Sequence, residues 1–150
     1  MEKNTRVLAA VKDTSSISRE VVHISSLFAK ARKGELLIVN VCEVPLSLPL
    51  DQLLPGQLES AQKILDGLIK IAEDTGVNVE THLLQARTPG AGILSEIKAV
   101  DPDLLVLGAK RETEPGSAPE YSTTAYVLKH APCRALLVVG PQEEKAPHDP

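Results

Sequence analysis

The chain has no tryptophan, one phenylalanine and two tyrosines in 150 residues, so its core must be built from aliphatic side chains. Proteins that hold single-stranded nucleic acid stack bases on several aromatic platforms, and a chain with so few rings is nearly excluded from that class. A basic surface is missing too. The formal net charge is −4, which argues against a nucleic-acid partner or an anionic membrane surface. No apolar run reaches the ~18 residues that a membrane span needs, so no direct membrane insertion is expected. No signal peptide precedes the first strand, which points to a cytoplasmic setting. Cysteine is limited to Cys42 and Cys133, far apart and without CxxC spacing. They read as reduced, packed thiols rather than metal ligands.

What is present is a regular alternation of two hydrophobic patterns. Val7–Val11 is a short apolar run and reads as a first strand. From Ile17, apolar residues recur at 21, 24, 28 and 31, the spacing of an amphipathic helix, and Gly34 follows as a stop. ELLIVNVC (35–42) is a second strand, with Asn40 its one polar member. A proline-bearing loop from Glu43 to Gly56 leads to a helix carrying Leu58, Ala61, Leu65, Leu68 and Ala72. VNVETHLL (77–84) alternates more and reads as a strand near a sheet edge. Gln85–Gly92 reads as a turn, and Ile93–Val100 as a short helix that Asp101-Pro102 ends. Ala125, Val127, Leu128 and Ala131 mark a fourth helix, and ALLVV (135–139) a last strand. One domain is expected over 1–141, with 142–150 a frayed tail.

The centre of this arrangement is Asp103-Leu104-Leu105-Val106-Leu107-Gly108, apolar without alternation, as a strand buried on both faces should be. Gly108 is expected to end it. Ser122, Thr123 and Thr124 follow a polar loop, at the expected start of the next helix. Strand, helix, strand in this order gives an α/β fold with one open parallel sheet and helices on both faces. In such sheets ligands gather beyond the carboxyl ends of the strands, where a helix N-terminus can face an anion.

The order of elements, with RVLAAV, GELLIVNV, PDLLVLGA and YVLKHAPCRALLVV, resembles the universal stress protein (UspA-like) domain over about residues 4–140. VCEVPLSLPL is similar to such domains fused behind membrane transporters. The resemblance implies a five-stranded sheet in the order 3-2-1-4-5, of the adenine-nucleotide-hydrolase-like, Rossmann-like type. It also implies a homodimer paired along Ala135, Leu136, Leu137, Val138 and Val139. Many relatives bind ATP through G-x2-G-x9-G-(S/T). Here Gly108 matches the first glycine and Ser122 the hydroxyl, but Arg111 and Tyr121 stand at the other two glycine positions. The acidic residue that usually follows the first strand falls on Lys12, with Asp13 one place later. Gly116-Ser117 is an alternative glycine–hydroxyl pair on a shorter loop.

An adenine nucleotide, if bound, is expected to set its base near Ala10, Val11, Lys12 and Val41. Its ribose or phosphate should then face Gly108, Arg111, Ser122 and Thr123. Arg111 can be a guanidinium fork for phosphate or a solvated loop residue. Ser122 and Thr123 can equally be plain helix caps. No catalytic triad, metal cluster or complete P-loop is in the sequence, so no enzyme is expected. His130 and Cys133 read as a helix-end imidazole and a packed thiol, not as a nucleophile pair. Two functions remain: a regulatory module that has lost ATP, or a nucleotide-binding stress-response protein taking AMP, ATP or a cyclic nucleotide.

Overall fold

The computed structural model describes residues 4–110 and 119–141, with backbone only for 119–122. The tail at 142–150 and the Gly116-Ser117 pair lie outside the described residues. The elements are β1 (Arg6–Ala10), α1 (Ser16–Ala31), β2 (Glu35–Glu43), α2 (Pro55–Glu73), β3 (Asn78–Ala86), α3 (Pro89–Val100), β4 (Leu104–Ala109), α4 (Pro119–His130) and β5 (Arg134–Val139). They form one five-stranded sheet in the order β3-β2-β1-β4-β5. Every pairing is parallel.

Apolar residues on the two faces of the inner strands make two cores. Val7, Ala9, Ile38 and Val106 pack with Val21, Val22, Leu65 and Leu68 of α1 and α2. Leu8, Val39, Leu105 and Leu107 pack with Ile93, Ile97 and Val127 of α3 and α4. Each fully buried aliphatic side chain contributes about 1.5–3 kcal/mol. Three serines, Ser18, Ser25 and Ser26, also lie on the buried face of α1. Ser25 and Ser26 donate their hydroxyls to Val21 O and Val22 O at 2.5 and 2.6 Å, which removes the cost of burying them.

Arg6 ties the amino ends of the inner strands together. Its N–H donates to Asp103 Oδ2 at 2.8 Å, and Asp103 N–H donates back to Arg6 O at 2.8 Å. Its Nε donates to Glu35 Oε1 at 2.7 Å and its Nη1 to Val100 O at 2.9 Å. β1, β2, β4 and the end of α3 are thereby set in register at one corner.

Four sequence expectations shift. α3 begins at Pro89, not after Gly92, because Thr88 caps it by accepting from Ala91 N–H and Pro89 occupies the first turn. α4 begins at Pro119, so Ser122 and Thr123 lie inside the helix and do not cap it. On α4, Val127 is buried and Ala131 packs against the core as expected, but Ala125 and Leu128 are exposed and Thr124 is buried in their place. Gly108 does not end β4, which continues through Ala109.

The reason for glycine at 108 is packing. A Cβ there would stand 2.6 Å from Ile17 Cγ2 and 2.9 Å from Val21 Cγ2, so α1 rests directly on the strand backbone. Gly108→Val is therefore expected to cost about 1–3 kcal/mol by overpacking. Ile17→Ala in the same chain should recover part of that loss. Urea unfolding of the single and double variants checks this, and an unchanged midpoint for Gly108→Val would contradict it.

Candidate functional site

β1 sits between β2 and β4, and successive connections leave it and β4 toward opposite faces of the sheet. This is the topological switch point, where the helices diverge and a crevice opens. A cleft of about 390 Å³ lies there. Its floor is the carboxyl ends of the inner strands: Ala10 of β1 and Val11 just after it, Val39 and Val41 from β2, Leu107 and Gly108 from β4. Ile17 and Val21 of α1 form one wall, and Pro89 and Ile93 of α3 the other. Thr123, Thr124 and Val127 of α4 close it. Among the described residues, the charged groups in the lining are Lys12, Lys110 and Glu43.

Of the eight ligand positions expected from sequence, Ala10, Val11, Lys12, Val41, Gly108 and Thr123 line this one cleft. Arg111 lies outside the described residues, and so does the Ser122 side chain. Sequence reasoning missed the contributions of α1 and α3, and also Glu43 and Lys110. The available signals were Thr88-Pro89, which mark a helix start just after β3, and the position of Lys110 directly after β4.

Local chemistry places each group. Val11 N–H donates to Val39 O at 3.0 Å, so β1 stays bound to β2 up to the cleft floor. The chain then turns into α1, whose N-cap is Ser15. Asp13 Oδ1 accepts from Ser15 N–H at 3.0 Å and from the Ser18 hydroxyl at 2.7 Å. Burial pushes the Asp13 carboxyl up, but these hydrogen bonds and the nearby Lys12 charge outweigh it and leave the pKa below the ordinary value. Asp13 thus serves the start of α1, while Lys12 lines the cleft.

The loop between β2 and α2 follows directly on Glu43. Arg87 Nη1 donates to Pro45 O and Leu48 O at 2.6 and 2.7 Å, and Gln85 Nε2 donates to Gln52 O at 2.7 Å. These bonds hold the loop with Leu46, Leu50 and Leu53 exposed.

The remaining candidate groups are occupied structurally. His130 ends α4, its ring 4.7 Å from that of Tyr126. Burial pushes the Cys133 thiol up, its own backbone N–H lowers it in part, and the Asp101 charge raises it again. Burial and the Glu43 charge likewise raise Cys42. His82 Nδ1 stands 3.1 Å from Oε2 of the nearly buried Glu96 on α3, a pairing that spacing alone did not suggest. Among the described residues, no three His, Cys, Asp or Glu side chains gather as a metal site. No described helix is long and apolar enough to cross a membrane.

A parallel 3-2-1-4-5 sheet with a crevice at its switch point defines an open α/β domain of the Rossmann-like class. The Universal stress protein family matches residues 3–139, and the chain belongs to that family. It is 28% identical over 138 residues to Universal stress protein MJ0531 of Methanocaldococcus jannaschii, covering 88% of this chain and 81% of that one. The universal stress protein from Archaeoglobus fulgidus in complex with dAMP superposes with a TM-score of 0.73 at 18% identity, covering 89% of this chain and 97% of that one. A family member from Arabidopsis thaliana with AMP bound superposes at 0.63 and 21% identity, covering 93% and 94%.

The Asp13 bonds set a pH dependence. A lowered carboxyl pKa contributes stability above the unfolded value, about 3.9, and that stability is lost as pH falls through the folded value. Asp13→Asn is expected to destabilise the chain by about 0.5–1 kcal/mol at neutral pH, the low end of cap losses because the site is open to solvent. The difference from the parent should shrink below about pH 4. Thermal unfolding of both chains between pH 3 and 7 reads this. A gap that widens toward low pH would refute it.

Proposed function

We propose that this chain is a non-catalytic regulatory module of the stress-protein family whose cleft takes an adenine mononucleotide and holds ATP weakly or not at all. The observation that carries this reading is the cleft itself: aliphatic walls for a flat base, with hydroxyls and lysines at the rim. The AMP and dAMP bound by two proteins of the same fold support a ligand with one phosphate. Against ATP stand Arg111 and Tyr121, which replace glycines of the family's ATP pattern. A chain of three phosphates needs several backbone N–H groups in close approach, and side chains at those positions obstruct it. The module's place of action in this reading is the cytoplasm.

Calorimetry with AMP, a cyclic nucleotide and ATP tests the proposal. AMP is expected to bind at least about tenfold more tightly than ATP, a difference of ~1.4 kcal/mol. The Arg111→Gly/Tyr121→Gly double variant should gain ATP affinity. Tight ATP binding or steady ATP hydrolysis by the unmodified chain would overturn it.

The assembly proposed with this function is a homodimer joined along β5. That strand is at the sheet edge, with Leu136 and Val139 exposed at 39% and 37%. An unpaired apolar edge favours pairing with another chain. Leu137 and Val138 pack partly into this chain's own cores, so Leu136 is the cleaner probe. Leu136→Asp is expected to halve the mass seen by sedimentation at micromolar concentration. A monomeric parent, or an unchanged mass in the variant, would contradict the dimer. The exposed Leu46, Leu50 and Leu53 are the surface that a membrane-transporter partner or fusion would cover.

A further inference from the structure

β3 is the other edge of the sheet, and its side chains Asn78, Glu80 and His82 step along one face at two-residue intervals. A second cavity, of about 280 Å³, opens at the amino end of the sheet, and these three residues line it with Arg6 and Glu35. The Arg6 guanidinium is already bonded to Glu35 and to Val100 O. His82 stands between two carboxylates. Its Nδ1 is 3.1 Å from Glu96 Oε2, and its Nε2 is 3.8 Å from Glu80 Oε2. The two carboxylates differ in setting. The Glu96 side chain is 8% exposed and stands behind the ring, whereas the Glu80 side chain is 81% exposed and lines the cavity. An ionised carboxylate only accepts hydrogen bonds, so the ring of a neutral His82 carries its hydrogen on Nδ1, toward Glu96. Its Nε2 then turns a lone pair toward Glu80.

We infer that His82 Nε2 and the Glu80 carboxylate bind one divalent cation of the zinc type, with Glu96 holding the ring in the tautomer that the ion needs. Charge supports this. A neutral imidazole between two carboxylates leaves two negative charges, one of them nearly buried, and a divalent ion matches them. Distance supports it too. Two bonds of ~2.0–2.1 Å meeting at a tetrahedral angle span about 3.3 Å, so the exposed Glu80 side chain has to close roughly 0.5 Å. A metal-bound imidazole almost always donates its other N–H to a carboxylate, a carbonyl or water, and Glu96 stands in that position. Imidazole beside carboxylate suits zinc, copper or nickel, whereas magnesium and calcium take oxygen donors. Glu96 is not a ligand, so the protein supplies two donors and leaves the other positions to water. The site lies at the end of the sheet opposite the cleft and does not depend on the nucleotide reading.

The test uses the full chain at neutral pH with Zn²⁺ and Mg²⁺ as probes, read by calorimetry and by the ring-nitrogen resonances of His82. The parent is expected to take up one Zn²⁺ per chain with a shift of His82 Nε2, and Mg²⁺ to leave both readouts unchanged. His82→Gln should abolish this uptake. Glu80→Gln, at an exposed position, should weaken Zn²⁺ binding at least about tenfold. Glu96→Gln should weaken it about 10–100-fold, because it frees the ring without removing a donor. Glu96 is nearly buried, so if that variant does not fold, the two β3 variants decide. Zn²⁺ binding of equal strength in His82→Gln or in Glu80→Gln would overturn the site, because the ion would then rest on other donors. A parent whose His82 ring is protonated on both nitrogens and unmoved by Zn²⁺ would overturn it as well, leaving an imidazolium that ties β3 to α3.

Discussion

β1 is the strand on which the whole domain depends. It is five residues long, bonded to β2 on one side and β4 on the other, and Val7, Leu8 and Ala9 are buried on both faces. A strand in that position can carry no polar side chain facing either core without an added cost of desolvation. It must therefore be a bare aliphatic run, and its ends are the first places where polar chemistry becomes possible. At the amino end that chemistry is Arg6, bonded to Glu35, Val100 and Asp103. At the carboxyl end it is Lys12, which lines the cleft, and Asp13, which is bonded to Ser15 and Ser18 at the start of α1.

The division of labour between those two neighbours links the fold to its site. A carboxylate oxygen engaged at a helix start is drawn away from a ligand. Asp13 is engaged in this way, with Ser15 and Ser18 as its donors, and the position beside it presents a cation to the crevice. The cleft is thus shaped by a strand that must end, a helix that must begin and a sheet order that parts the helices at that point. Its aliphatic walls are the same side chains that fill the two cores: Val21 belongs to one, and Ile93 and Val127 to the other.

Much of this was legible in the sequence, for a physical reason. Parallel strands buried on both faces are continuous apolar runs, and amphipathic helices between them repeat at 3.6 residues, so element order and class follow from period alone. Sheet order did not follow from period; it came with the resemblance to the family. Boundaries failed where local chemistry competes with hydrophobic pattern, as at Pro89, which opens a helix through two glycines, and at Pro119. The buried serines of α1 were illegible because a hydroxyl bonded to its own helix behaves as a core group only once packed. His82 and Glu96 meet across β3 and α3, fourteen residues apart, and no single element's spacing records that. Ala10, Val11, Lys12, Val41 and Gly108 line one cleft because they sit at or just past strand ends, whereas Thr123 of α4 and the walls from α1 and α3 depend on tertiary packing.

Gly108 separates two kinds of motif residue. Its missing Cβ is filled by Ile17 and Val21, whether or not anything occupies the crevice. A descendant of this chain that had abandoned every ligand would still be held to glycine at that position by the seat of α1 on β4. Matching the first glycine of a nucleotide pattern is then a record of how closely a helix lies on a strand, and says little about what the protein carries. The informative letters of such a pattern are those whose side chains no part of the fold requires, and they are the ones free to drift when the ligand is gone.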